Sequence, residues 1–279
     1  MKITYIYHSG FLVESADAYY IFDYYRADFP VTDADKPVYV FVSHRHPDHY
    51  NPYVFEILRE KKVRRMTGII SYDIKPRNYT SHMEGVEIIA AEPDKEYTLD
   101  NGALVRTLRS TDKGVAYVVT FDDGGVPRSV YHAGDLNDWV WEGEDERVNK
   151  WMTGSYRRYL TAVEGMHFDA VMVPVDSRQG DDMFRGIEYL LEKVKADAVY
   201  PMHYWDKPEV IMQFAEKYPQ YADIIRYTED RMDRYSVIED KNPREIVLLR
   251  GSGCVYKKCT FCDYYSCLLY TSPSPRDRT

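Results

Sequence analysis

Cysteine is missing from the first 250 residues of this 279-residue chain; its four cysteines all follow that point. A disulfide framework is therefore excluded for the main part, and any metal there must be held by histidine and carboxylate. Long apolar runs are also missing, since none approaches the roughly 20 residues that cross a bilayer. Met1-Lys2-Ile3-Thr4-Tyr5 enters an alternating strand directly, with no basic-then-apolar leader. The expectation is a cytoplasmic protein with no membrane contact. An excess of basic charge is missing as well. Lys and Arg number 36 against 45 Asp and Glu, a net charge of −9. That argues against nucleic acid as a partner, because such binding needs a basic surface. The one basic cluster, Lys61-Lys62-Val63-Arg64-Arg65, reads as the cationic end of a helix. With 44% hydrophobic and 29% charged residues the balance is that of a folded domain with a sizeable core. The partner expected is a small-molecule substrate.

Ile3, Tyr5 and Tyr7 alternate with smaller or polar neighbours, and segments 11–13 and 19–22 follow, so the chain opens as a β-meander. The continuous apolar run Val38-Tyr39-Val40-Phe41-Val42 suits a strand buried on both faces. Asn51 and Pro52 read as the cap and first turn of a helix running through Ile57 and Leu58. Further strands are predicted at 67–71, 86–90, 103–108, 114–121, 128–132, 170–174 and 198–200, with short ones near Ile224 and Val237. Helices are predicted over 145–165, with Val148, Met152, Tyr156, Tyr159 and Val163 as its stripe, over 183–194, and from Pro208 through Phe214. The 27 tyrosines read as strand and surface positions. This order predicts an α/β fold of two mixed sheets packed face to face with helices outside.

The end of the chain reads differently. After a linker at 240–244, residues 246–265 are expected to begin a second domain that is largely missing. Cys254, Cys259 and Cys262 stand in C-x4-C-x2-C spacing, suited to a thiolate-bound metal or cluster. The aromatic Phe261 resembles the cluster loop of radical S-adenosylmethionine enzymes, whose spacing is one residue shorter; a zinc knuckle, or no ligand role, stays open. Residues 266–279 resemble translated sequencing-adapter DNA and are set aside.

The chemistry concentrates in Ser43-His44-Arg45-His46-Pro47-Asp48-His49, directly after the apolar run. Three histidines and an aspartate within six positions form a dense set of metal donors. On an extended segment His44 and His46 point to one side and hold one ion. Asp48 and His49, beyond the turn at Pro47, reach a second ion or the far side of the first.

H-x-H-x-D-H after a buried strand resembles the metallo-β-lactamase superfamily, over roughly residues 1–240. The resemblance implies a four-layer αββα sandwich and a metal-dependent hydrolase. Gly134-Asp135 resembles the family's Gly-Asp, whose aspartate bridges two metals, and Pro201-Met202-His203 its last histidine ligand. Asp23 resembles the strand-end aspartate that holds the metal loop from behind. Tyr7-His8-Ser9-Gly10-Phe11 and a missing third histidine resemble the branch containing ascorbate-phosphate lactonases and related phosphodiesterases. Where that histidine belongs, the chain reads Ser110-Thr111-Asp112-Lys113-Gly114, making Asp112 either the replacement ligand or a turn aspartate. His132 and His8 are alternative stand-ins, each read as a strand residue beside the pocket. Arg178 is read either as an anion-binding residue or as the ion-pair partner of Asp176. Trp139 and Trp141 either wall a substrate pocket or pack in the core.

The expected ligand set is His44, His46, Asp48, His49, Asp112, Asp135 and His203. The expected cofactor is one or two zinc ions, with manganese or iron as alternatives. A metal-bound water, its pKa lowered from about 15.7 to about 7, then attacks an ester, lactone or phosphodiester, with Asp48 as the catalytic residue that orients it. Two rivals are a mononuclear iron dioxygenase and a non-catalytic sensing module. A diiron form is disfavoured, since those relatives carry glutamate at the place of His46.

Overall fold

Alternation of side chains across each pleat settles the layers in a computed structural model that describes residues 1–76 and 81–227. The first sheet holds β1 (Lys2–Tyr7), β2 (Gly10–Glu14), β3 (Tyr19–Phe22), β4 (Val38–Val42), and, after helix α1 (Val54–Glu60), β5 (Met66–Ser71) and β6 (Glu87–Ala91), in that spatial order. The second sheet begins with β7 (Glu96–Thr98), β8 (Leu104–Arg109), β9 (Val115–Asp122) and β10 (Pro127–His132). Then come α2 (Glu146–Leu160), a two-residue β11 (His167–Phe168), β12 (Ala170–Pro174), α3 (Arg185–Lys193), a two-residue β13 (Lys195–Ala196), β14 (Val199–Met202) and α4 (Glu209–Lys217). Its spatial order is β14-β12-β10-β9-β8-β7. Tyr39 and Phe41 of β4 join the large core that also holds Val119 and Tyr117 of β9. Val38, Val40 and Val42 turn the other way onto Val54, Phe55 and Leu58 of α1. Tyr156, Ile187 and Phe214 of the other three helices pack with the second sheet. This is the αββα sandwich.

Several boundaries move. Helix α1 starts at Val54, because the Asn51 side chain accepts a hydrogen bond from Tyr53 N (3.1 Å) and makes a separate turn ahead of the helix. Helix α2 ends at Leu160 and buries Ser155, Tyr156 and Leu160, whereas Val148 is 44% exposed. Of the expected stripe, Tyr156 and Val163 are buried and Tyr159 packs against the core, whereas Val148 in the first turn faces out. Strand β7 escapes prediction, being three residues long with both ends exposed. Near Ile224 there is only an isolated bridge from Ile225 to Val199. Many tyrosines are core rather than surface; Tyr19, Tyr20, Tyr39 and Tyr117 are fully buried. The strand predicted at Val237, the linker, the cysteine motif and the adapter-like end lie outside the described residues.

Strand direction then decides where loops gather. β3, β4, β5 and β6 run parallel, as do β10, β12 and β14. Their carboxyl ends lie side by side: Phe22 pairs with Phe41, His132 with Met172, and Pro174 with Met202. The β1–β2 turn reaches the same edge because Phe11 pairs with Phe22. So does the β8–β9 hairpin, since Tyr117 pairs with His132. The two sheets are joined there. Tyr117 donates its hydroxyl to Val42 O and lies 3.1 Å from Ile69 O, and Val115 N donates to Ser43 O (2.9 Å).

Candidate metal centre

Each of these loops delivers donors to one place. Five of the eight histidines meet there in two groups, one of His44, His46, Asp112 and Asp135, the other of His8, Asp48, His49 and His203. Within each group the donor atoms lie within 4.8 Å of one another. Asp135 stands between the groups. Its Oδ2 is 3.5 Å from His44 Nε2, and its Oδ1 is 3.2 Å from His49 Nε2 and 3.6 Å from His203 Nε2. His46 Nδ1 lies 3.4 Å from Asp112 Oδ2, and Asp48 Oδ2 lies 3.2 Å from His8 Nε2.

These separations suit shared cations. Ligand atoms about 2.0–2.1 Å from a tetrahedral ion sit roughly 3.4 Å apart. Independent support comes from atoms that no protein group satisfies. Both ring nitrogens of His8, His49 Nε2 and Asp135 Oδ1 are buried without a hydrogen-bond partner. An orphaned buried polar atom costs about 1–3 kcal/mol, and a cation between them removes that cost. The residues present fit divalent metal.

Behind the donors, a set of hydrogen bonds aims them. Asp23 is fully buried at the end of β3 and accepts from Ser43 N (2.7 Å) and Ser43 Oγ (2.6 Å). Its Oδ2 also lies 2.8 Å from His49 Nδ1. Ser43 Oγ, having donated to Asp23, accepts from His44 Nδ1 at 2.9 Å. Asp176, just past β12, accepts a hydrogen bond from His203 Nδ1 at 3.1 Å. In all three histidines Nδ1 carries the hydrogen and Nε2 presents its lone pair to the cluster. His132 does neither: its Nε2 donates to Ser9 O (2.8 Å) and its Nδ1 accepts from Gly134 N (3.1 Å), so it props the loops.

Burial holds most of these imidazoles neutral, as metal ligation requires. It lowers His8 and His49, the latter also through His203, and pushes His44 down to about 2. His203 is the exception. Burial pulls its pKa down, but the carboxylates of Asp135 and Asp176 outweigh that and raise it. Burial also lifts Asp135 to about 7. Asp48 goes the other way: against burial, the neighbouring His8 and His49 imidazoles hold it well below the usual carboxylate range.

The two groups floor a cavity of about 340 Å³ whose other walls are Trp139, Trp141, Met152, Arg178 and Trp205. Trp139 also donates Nε1 to Asp135 O (2.8 Å), so it steadies the loop as well as lining the cavity. Arg178 does form the ion pair with Asp176, through Nε (2.9 Å) and Nη2, and still faces the cavity.

Residues 2–147, more than half the chain, match the family profile of the beta-lactamase superfamily domain. The chain belongs to this superfamily. Its fold agrees with that of the metallo hydrolase Igni18 from the hyperthermophilic archaeon Ignicoccus hospitalis (TM-score 0.52, 21% identity, 80% of this chain and 93% of the other). A candidate metal-dependent hydrolase from Parabacteroides distasonis superposes with TM-score 0.55 at 16% identity, over 80% of this chain and 90% of that one. A third such protein, from Veillonella parvula, does so with TM-score 0.51 at 11% identity, covering 81% and 96%. At these identities the likeness concerns the fold. No curated protein matches the chain. Among the described residues, no helix is long and apolar enough to cross a membrane.

The structure thus brings together every residue that the superfamily resemblance pointed to, and sets His8, Asp176 and Trp205 beside them. His8, one of the two alternative stand-ins for the missing histidine, stands in the second group rather than the first, held at φ 58 in a turn whose pairing shifts register between Tyr5 and Tyr7. A lone histidine carries no spacing signal. Asp176 is legible only as the partner of Arg178; its bond to His203, like the place of Trp205, has no spacing signal either.

Asp23→Asn tests the support behind the ligands. It removes the carboxylate that orients His49 and Ser43, and metal affinity is expected to fall about 10–100-fold. Competition with a chelating dye measures this; an unchanged dissociation constant would show that His49 needs no such anchor.

Proposed function

We propose that this chain is a dinuclear metal-dependent hydrolase of a small ester, lactone or phosphodiester. The observation that carries this reading is the pair of donor groups sharing Asp135, with His8 Nε2, His49 Nε2 and Asp135 Oδ1 unsatisfied, at the floor of a ligand-sized cavity. His44, His46 and Asp112 would hold one ion, and His8, Asp48, His49 and His203 the other, with Asp135 common to both. Asp112 puts a hard oxygen where an imidazole is usual, which broadens the choice from zinc toward manganese or iron. Such ions bring a water of pKa near 7 and polarise the scissile group.

The protein's own groups do the rest. Asp48, partly exposed on the cavity wall, offers a carboxylate oxygen that orients water toward the substrate. Trp139, Trp141 and Trp205 exclude bulk solvent. Arg178, fixed by Asp176, faces the same space as a donor to the substrate's oxygens.

Elemental analysis tests the reading. The full chain is used with Cys254, Cys259 and Cys262 changed to serine, so that tail thiolates add nothing. About two equivalents of zinc or manganese per chain are expected, with ester or phosphodiester turnover that a chelator abolishes. One equivalent would exclude Asp112 from the ligand set. A single iron with oxygen consumption would replace hydrolysis by a dioxygenase reaction, and a folded chain without metal would end the proposal.

A further inference from the structure

Three of the four tryptophans in the chain line the one cavity above the metal centre, although they come from two distant segments. Trp139 and Trp141 follow β10 and stack in parallel, their planes 2° apart and their centroids 5.8 Å apart. Trp205 follows β14 and is backed by His8, with ring centroids 4.3 Å apart. The fourth, Trp151, is 58% exposed and away from the cavity. Between Trp141 and Trp205 sits the Arg178 guanidinium, 5.8 Å from one ring centroid and 5.3 Å from the other. Asp176 grips its Nε and Nη2, which leaves Nη1 without a hydrogen-bond partner among the described residues. A donor clamped this way loses little freedom on binding.

Size and charge narrow the occupant. A cavity of about 340 Å³ is roughly twice the 150 Å³ that takes up benzene. It holds one ring with a short polar arm. Arg178 is the single arginine or lysine lining it, and that charge already has a carboxylate. A flat ring finds indole faces.

We propose that the substrate is an aromatic carboxylic ester or lactone whose ring lies against Trp139, Trp141 and Trp205 while Arg178 Nη1 donates to its acyl or carboxylate oxygen. The ester part rests on the hydrolase reading; the aromatic part rests on the cavity walls. In the reaction water oxygen bonds to the acyl carbon, the acyl C–O bond breaks, the departing alkoxide takes one proton from the water, and the acid formed releases the other to solvent. The aromatic carboxylate so formed is itself a ligand of the site.

Titration calorimetry on the zinc-loaded full chain compares phenylacetate with cyclohexylacetate, which matches it in size and charge and is the more hydrophobic. Ring stacking beyond area burial predicts about 5-fold tighter binding of phenylacetate. Trp141→Leu, and independently Trp205→Leu from the opposite wall, should bring that ratio toward one while bound zinc stays unchanged. Equal binding in the unaltered protein, no saturable binding of phenylacetate, or a preference that survives both substitutions overturns the proposal. Methyl phenylacetate and methyl cyclohexylacetate, sharing a leaving group, separate the two readings. Hydrolysis of both at equal kcat/KM keeps the hydrolase and removes the aromatic specificity. Selective phenylacetate binding with no hydrolysis does the reverse.

Discussion

Asp135→Ala is expected to give a folded protein that has lost both ions and at least about 10³-fold in turnover. Among the described residues it is the one carboxylate within ion-pair distance of histidines of both groups, with Oδ1 toward His49 and His203 and Oδ2 toward His44. Removing it takes one ligand from each ion at once. The loop itself should survive, because Trp139 and Thr111 bond to the Asp135 main-chain oxygen rather than to its carboxylate. Metal content and steady-state rates on the same preparation, with the thermal midpoint as a folding control, make the measurement. Full turnover with two ions still bound would remove Asp135 from the centre.

Gly114→Ala should be the most damaging small substitution outside the ligands. Gly114 has φ +70, and a Cβ there would stand 1.8 Å from Ser43 O and 2.6 Å from His44 Cβ. Ser43 O already accepts from Val115 N, and Ser43 N and Oγ are bonded to Asp23, so the clash cannot relax without moving the metal loop. Overpacking and left-handed strain together predict a loss of about 3 kcal/mol or more, a fall of roughly 6–12 °C in Tm, and weakened metal binding. Gly102→Ala separates the two causes. Its φ is +85 with nothing within 4 Å of the added Cβ, so only strain of about 1–2 kcal/mol applies. Equal shifts in Tm for the two variants would show that the contact with Ser43 is not what matters.

The donor motif was legible because it is local. His44, His46, Asp48 and His49 follow an apolar strand within a few positions, and spacing alone gives them chemistry. The same holds for β4 and β12, whose unbroken apolar runs are buried on both faces as expected. Asp112 was only half legible. Its position before β9 marked a loop, but whether its carboxylate meets His46 depends on how the β8–β9 hairpin lies against the first sheet. Helix α2 was misjudged on its exposed side because periodicity marks an apolar stripe without saying how far the neighbouring helix covers it.

The sequence by itself determined the fold class, the two-sheet plan, the donor-rich segment 44–49 and the absence of any thiolate before residue 250. These follow from side-chain type and periodicity, which act between near neighbours. Only the tertiary structure decided that His8 joins Asp48, that Asp135 stands between two donor groups, and that Trp205 faces Trp141 across Arg178. Such meetings require strands far apart in the chain to end at one edge. That is set by strand direction and register, which no short stretch of residues encodes.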